Sequence, residues 1–378
     1  MKRNINFTSL IGVNLIVFFS LIITIDLFWG DWIKSKPNVS KVPAALWNKN
    51  TTYDVSGLYG SKEKIYTNYT RDEKGYRGLK GQTSKLQILT IGGSTTDQRF
   101  LSDLETWHSF LEKSLPNNFN VINGGVDGQS TYGHLFSIKH WHSQELSSYK
   151  IPLIIFYLGA NDLRLLNQGS QGLIEYDNLY QGKSLLRKIR IALSRNSFLY
   201  KRIRNIKNRI FNLTGASKDG IVWAGHYLKY ALLSDPGIFY NIPDPQNKPG
   251  YNYYIQLVKD LVLETRKSFP NSKILIVQQT IPPCRFVNEK SVWNLHANHS
   301  KQAEEGENYC IDVGQVFMAQ DRAISDMKPS IRPSVVKFYL QDILNDDSIY
   351  DYMHHNQKGS KQISEALIPV VKKILQIH

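Results

Sequence analysis

Four short stretches of this 378-residue chain hold residue types that together could cleave an ester. The first is Leu86-Gln-Ile-Leu-Thr-Ile-Gly-Gly-Ser-Thr-Thr96, an apolar run that stops at Gly92-Gly93 and is followed by Ser94. Such a run reads as a buried strand ending in a tight turn, which leaves the next side chain at the sheet's carboxyl edge. Ser94 is the candidate nucleophile. Acyl transfer through a serine also needs a base, a group that orients the base, and donors for the developing oxyanion.

The other three stretches offer those parts. Asn123-Gly-Gly-Val-Asp-Gly128 offers a backbone N–H at Gly128, where the missing side chain lets a carbonyl approach; Gly124 and Gly125 are rival donors. Gly159-Ala-Asn-Asp162 offers the side-chain amide of Asn161, with Asp162 read as a loop-holding residue. Near the carboxyl end, Ile349-Tyr-Asp-Tyr-Met-His-His-Asn-Gln-Lys-Gly359 sets Asp351 three residues before His354, close enough to orient the imidazole across a local turn. His355 is the alternative base.

These turns must be brought together by the elements before them. Strands are expected at 86–92, 119–123, 152–158 and 273–280, with a fifth at Tyr309-Cys-Ile-Asp-Val313. Helical spacing marks 106–115, 132–147 and 251–269. Alternation at these lengths implies right-handed crossovers and an α/β fold: a three-layer α/β/α sandwich around a parallel sheet of about five strands. Every chemistry-bearing turn then lies at one sheet edge. Thr95 and Thr96 read as helix-capping residues after the turn.

Ahead of this domain, Phe7 to Phe28 is nearly all apolar, follows Lys2 and Arg3, and precedes Trp29 and Trp32. This is long enough to span a bilayer, and it lacks the small-residue end of a cleaved signal peptide. The expected organisation is a cytoplasmic tip and signal-anchor over 1–34, a stalk over 35–84, and an extracytoplasmic domain over 85–378. Within that domain a basic helical insert is expected at about 180–215. Ten Lys or Arg residues fall between Lys183 and Arg209, with no acidic residue between Asp177 and Asp219. The insert is either a solvated face or a platform for anionic lipid or polymer. A net charge of +14 suits an anionic partner, and no nucleic-acid-binding signature stands out. The two cysteines, Cys284 and Cys310, are too few for a four-ligand zinc site. Outside the cytoplasm they could close a loop of about 25 residues by a disulfide worth roughly 3 kcal/mol; two free thiols are the alternative.

In their order, the four blocks resemble the SGNH hydrolase superfamily, also called GDSL-type esterases and lipases. The resemblance implies Ser94 as nucleophile, His354 as base and Asp351 as its partner. It also implies an oxyanion hole from Ser94 N–H, Gly128 N–H and Asn161, with no metal and no cofactor. Gly93 stands where that family usually has aspartate, and Gly-Gly-Ser-Thr is similar to an envelope-anchored bacterial subgroup. The implied activity is removal of O-acyl groups, acetyl above all, from a cell-surface polysaccharide or glycolipid. Acyl transfer to the same class of glycan, lipid or phospholipid deacylation, and a non-catalytic glycan-binding role are the alternatives.

Overall fold

The computed structural model describes residues 7–30, 32, 46, 49–59, 61–78, 84–172, 239–281, 284–287, 290–293, 300–340, 343–344, 346–351 and 353–377, with a few positions between 189 and 206. The chain divides into two units, Met1–Val39 with Gln181–Asp219, and Ser40–Tyr180 with Gly220–His378.

The first unit contains helix α1, Phe7–Trp29. Its Gly12–Trp29 stretch has a mean hydropathy of 2.0, and no part of it is buried within the protein. A helix apolar on every side, with its backbone ladder internally satisfied, has the length and composition to cross a membrane. Most of the expected basic insert lies outside the described residues. Those described within it, Ile189, Leu193, 198–200, 202–203 and 206, are helical.

The second unit is built on a five-stranded sheet, all of it parallel. Its strands are β3 (Leu86–Gly92), β4 (Phe119–Asn123), β5 (Lys150–Leu158), β7 (Lys273–Gln278) and β10 (Val335–Tyr339), in spatial order β10-β7-β5-β3-β4. Strand side chains alternate between faces, so a strand buried on both reads as nearly continuously apolar. The buried polar members Gln87, Thr90 and Asn120 are hydrogen-bonded. Leu89, Ile91, Ile122, Ile154, Phe156, Ile274 and Ile276 lie in one core with Trp141, Tyr254, Val258 and Val316. Ile88, Val121, Leu153, Ile155, Leu275 and Val277 lie in a second core with Trp107, Leu111, Ile363 and Leu367. Helices α4 (Thr131–Ser137), α7 (Tyr251–Ser268) and α8 (Ser300–Ser325) supply the first layer; α3 (Trp107–Lys113) and α9 (Gln357–Leu375) supply the second. The expected three-layer α/β/α sandwich is the observed one. Each fully buried large side chain contributes roughly 1.5–3 kcal/mol, so the two cores dominate the fold's stability.

Three expectations change. Tyr309–Val313 is not a strand but part of α8, where Cys310, Val313 and Phe317 recur at helical spacing on a buried face. A short apolar run does not by itself separate the two periods; the fifth strand is β10. Thr95 and Thr96 do not cap: they sit buried inside the short helix α2 (Ser94–Asp97), whose N-cap is Gly93. Finally, part of the segment read as a stalk is folded. β1 (Asn50–Asp54) pairs antiparallel with β2 (Tyr66–Thr70) around buried Tyr53, Val55 and Tyr69. A second small sheet joins β6 (Tyr240–Asn241), β9 (Lys290–Trp293) and β8 (Cys284–Val287). Cys284 of β8 is disulfide-bonded to Cys310 of α8.

Candidate active site

From β3 the chain passes to β4 on one side and then to β5 on the other, so the sheet's order reverses at β3. Crevices beyond the carboxyl ends of parallel strands open at such a reversal. Ser94 stands there, one residue past Gly93. A Cβ built on Gly93 would lie 2.3 Å from Asn161 Nδ2 and 3.3 Å from Gln129 O. In this backbone a side chain at position 93 would require the Asn161 amide to shift. The same contact shows that the turns after β3, β4 and β5 meet.

His354 arrives from the loop between β10 and α9. A small hairpin holds it: Ile349 bridges His355, Tyr350 N–H donates to His354 O, and Asn356 N–H donates to Ser348 O. Asn356 then caps α9 by accepting from Gly359 N–H. His354 Nε2 lies 2.7 Å from Ser94 Oγ, and its Nδ1 lies 2.8 and 3.0 Å from the two Asp351 oxygens. Asp351 also accepts from the backbone N–H groups of Met353 and His354, at 2.8 and 2.6 Å. With Nδ1–H donating to Asp351, Nε2 is left as acceptor for the Ser94 hydroxyl proton.

Burial alone would lower the His354 pKa. The hydrogen bond and charge of Asp351, with the more distant Asp127, outweigh burial and the opposing Arg99, and hold it above the usual histidine value. For Asp351, burial pushes up, but the hydrogen bond and charge of His354 and two backbone donors leave it below its ordinary value. The neighbouring His355 is buried, its Nε2 2.7 Å from Gln98 Nε2, and burial drives its pKa down to about 3. The two adjacent histidines are thus separated by environment: His354 meets the serine, and His355 is neutral packing.

On the oxyanion side, Gly128 has φ +73°, a left-handed conformation that favours glycine. Asn161 donates from Nδ2 to Gln129 O at 2.8 Å, and an amide nitrogen carries a second N–H besides the one so used. Asp162 holds its loop: it accepts from Thr131 N–H at 2.7 Å, Thr131 Oγ1 at 2.9 Å and Tyr254 OH at 2.8 Å.

Several supporting residues were not singled out by the sequence reading. Arg71, 0% exposed, donates to Asp97 Oδ1 at 2.5 Å and to Gly125 O at 2.6 Å. It thereby ties the end of the helix that carries Ser94 to the Gly128 loop. Arg77 donates to the carbonyls of Asp97, Gln98 and Leu101. Arg99 pairs with Asp127 at 2.7 Å, and the Tyr350 ring lies parallel to His354 with centroids 5.7 Å apart. No local periodicity marks the partner of Arg71, which lies 26 residues away.

No family model matches the chain, and no curated protein matches it. Among solved structures it is similar to a GDSL-like lipase from Bacteroides ovatus, at 12% identity and a TM-score of 0.41, over 84% of this chain and 58% of that one. It is also similar to a carbohydrate acetylesterase family member from Sinorhizobium meliloti (15%, TM-score 0.34, covering 77% of this chain and all of that one). A third is a family two carbohydrate esterase from Clostridium thermocellum in complex with cellohexaose (11%, TM-score 0.40, covering 78% of this chain and 66% of that one). The chain therefore spans less than two thirds of the first and third. With TM-scores below 0.5, none of these likenesses carries a functional inference.

Proposed function

We propose that this chain is an SGNH-type serine esterase, anchored in a membrane by α1 with its second unit outside the cytoplasm, that removes O-acetyl or similar small O-acyl groups from a cell-surface polysaccharide or glycolipid. The observation that carries the chemistry is the 2.7 Å contact between Ser94 Oγ and an imidazole whose other nitrogen is held by Asp351. Ser94 Oγ attacks the acyl carbonyl carbon while His354 Nε2 takes its proton, and Asp351 stabilises the imidazolium so formed. The tetrahedral oxyanion is received by Ser94 N–H, Gly128 N–H and the Asn161 amide. His354 then returns the proton to the departing sugar oxygen, leaving an acyl-serine. Water, deprotonated by the same imidazole, releases the carboxylic acid and restores Ser94.

The membrane part of the reading is supported by the length and composition of α1. The compartment is supported by the Cys284–Cys310 disulfide, since such bonds persist in oxidising surroundings. A glycan substrate is supported by the net positive charge, which suits an acidic polymer, and by the resemblance of the four blocks. The test is hydrolysis of p-nitrophenyl acetate and release of acetate from an O-acetylated glycan by wild type and Ser94→Ala. Wild type is expected to act on both, and the variant to lose about 10³-fold or more in rate. Equal rates would overturn the mechanism. Acetate that moves to an acceptor sugar instead of appearing free would assign transfer in place of hydrolysis.

A further inference from the structure

Asp26 is an acidic residue inside the apolar span of α1, within its last turn. Its carboxylate is occupied by the basic insert: Oδ1 accepts from Ser197 Oγ and from Leu199 N–H, both at 2.9 Å. Oδ2 accepts from Trp32 Nε1 at 2.9 Å, and Ser197 Oγ in turn accepts from Tyr200 N–H at 2.9 Å. Ser197 and Asp26 therefore satisfy the first backbone donors of the helical residues that follow, the groups every helix leaves unpaired at its start. Those residues carry apolar side chains outward: Ile203 is 65% exposed and Ile206 55%. At helical spacing Leu199, Ile203 and Ile206 share one stripe. Arg202, whose guanidinium lies over the Phe198 ring at 5.4 Å, and Lys207 flank that stripe in sequence.

An exposed isoleucine stripe between basic residues is the pattern of a helix lying in a membrane interface, apolar side in the acyl boundary and cations among headgroups. The connection to α1 fixes what covers it. Trp29 and Trp32, at the end of the span, mark where interfacial aromatics sit, and Asp26 joins the insert to that same end. Pairing also removes the cost of an isolated carboxylate near the hydrocarbon edge. We infer that the helical residues 198–200, 202–203 and 206 lie in the plane of an anionic bilayer surface, and that Asp26 of the membrane helix, with Ser197, is the latch that starts and holds them there.

The inference rests on the anchor proposed above, and the experiment separates the two. The full chain is placed in lipid nanodiscs, with zwitterionic lipid alone or with anionic lipid added. Spin labels are attached through Ile203→Cys, Ile206→Cys and, as an aqueous reference on α9, Lys361→Cys; the native cysteines are bridged and do not react. Labels at 203 and 206 are expected to favour oxygen over a water-soluble nickel chelate severalfold more than the label at 361. Arg202→Glu is expected to weaken docking in anionic discs by about fivefold per charge removed, with little effect in zwitterionic ones. Asp26→Ala is expected to leave the chain in the disc but to free the label at 203. Nickel accessibility at 203 and 206 equal to that at 361 overturns the inference, as does shielding from both reagents, which would mean protein cover. An unchanged label spectrum in Asp26→Ala overturns the latch. Release of the chain from membranes by alkaline carbonate would remove the anchor and this inference together, whereas retention with water-exposed labels removes this inference alone.

Discussion

Two carboxylates at the same edge of the sheet, Asp351 and Asp97, make a useful contrast. Asp351 is 28% exposed and faces a histidine that is 25% exposed; Asp97 is 1% exposed and faces an arginine that is wholly buried. Both are held below the usual carboxylate range. At Asp97, burial pushes upward but the charges of Arg71 and Arg99 and a hydrogen bond from Tyr69 prevail. The difference lies in the partner. Imidazole can take and return a proton near neutral pH, whereas a guanidinium cannot. The first pair can therefore move a proton, and the second can only hold still the helix that carries Ser94.

The contrast predicts different failures. His354→Ala is expected to cut kcat/KM by about 10³-fold or more with the thermal midpoint nearly kept, and Asp351→Asn by about 10²- to 10⁴-fold. Steady-state kinetics beside thermal melts check both; a large loss of stability in His354→Ala would erase the distinction. Arg71→Met, which leaves Asp97 as an uncompensated buried charge, is expected to cost about 3–5 kcal/mol in denaturant unfolding. Should Arg71→Met stay stable but lose rate, the pair belongs to the chemistry after all.

A smaller effect concerns pH. His354 must be neutral to accept a proton, and its folded pKa lies above 6.5, so kcat/KM is expected to rise with pH with its half-point above 6.5. Stability from the same group runs the other way. A raised histidine stabilises the fold fully below about 6.5, and that contribution is lost as pH rises through the folded value. His355 has the opposite sign: neutral in the fold down to about 3, it destabilises as pH falls below about 6.5, because only the unfolded chain takes up the proton. His355→Gln is expected to flatten the acid side of a stability–pH curve and leave the half-point of the rate profile in place. The smallest shifts are expected at the site's rim. Asp127→Asn should move that half-point down and Arg99→Met should move it up, because their charges act on His354 with opposite signs.

How much of this was legible follows from range. The strands 86–92 and 119–123 were readable because glycine or a polar turn closes each apolar run and both faces are buried. Tyr309–Val313 was misread because five residues do not distinguish period 2 from period 3.6 when the buried side chains, Cys310 and Val313, fit either. Asp351 and His354 were readable together because a three-residue separation lets one turn join them. The Arg71–Asp97 tie and the rim pair Arg99–Asp127 were not, since neither contact leaves a local pattern.

By itself the sequence determined the period of most core elements, the apolar helix at the amino end, and the residue types that serine-based acyl transfer would require, because propensity, burial and short loops act locally. The sequence favoured His354 over His355 as the base, and only the tertiary structure supplied the environments that separate the two. His354 and His355 are chemically identical neighbours, and the hairpin at 348–356 turns one toward a serine 260 positions away and the other toward Gln98. It also brought the Asn161 amide, from the turn after a different strand, to where a Cβ at position 93 would have to displace it.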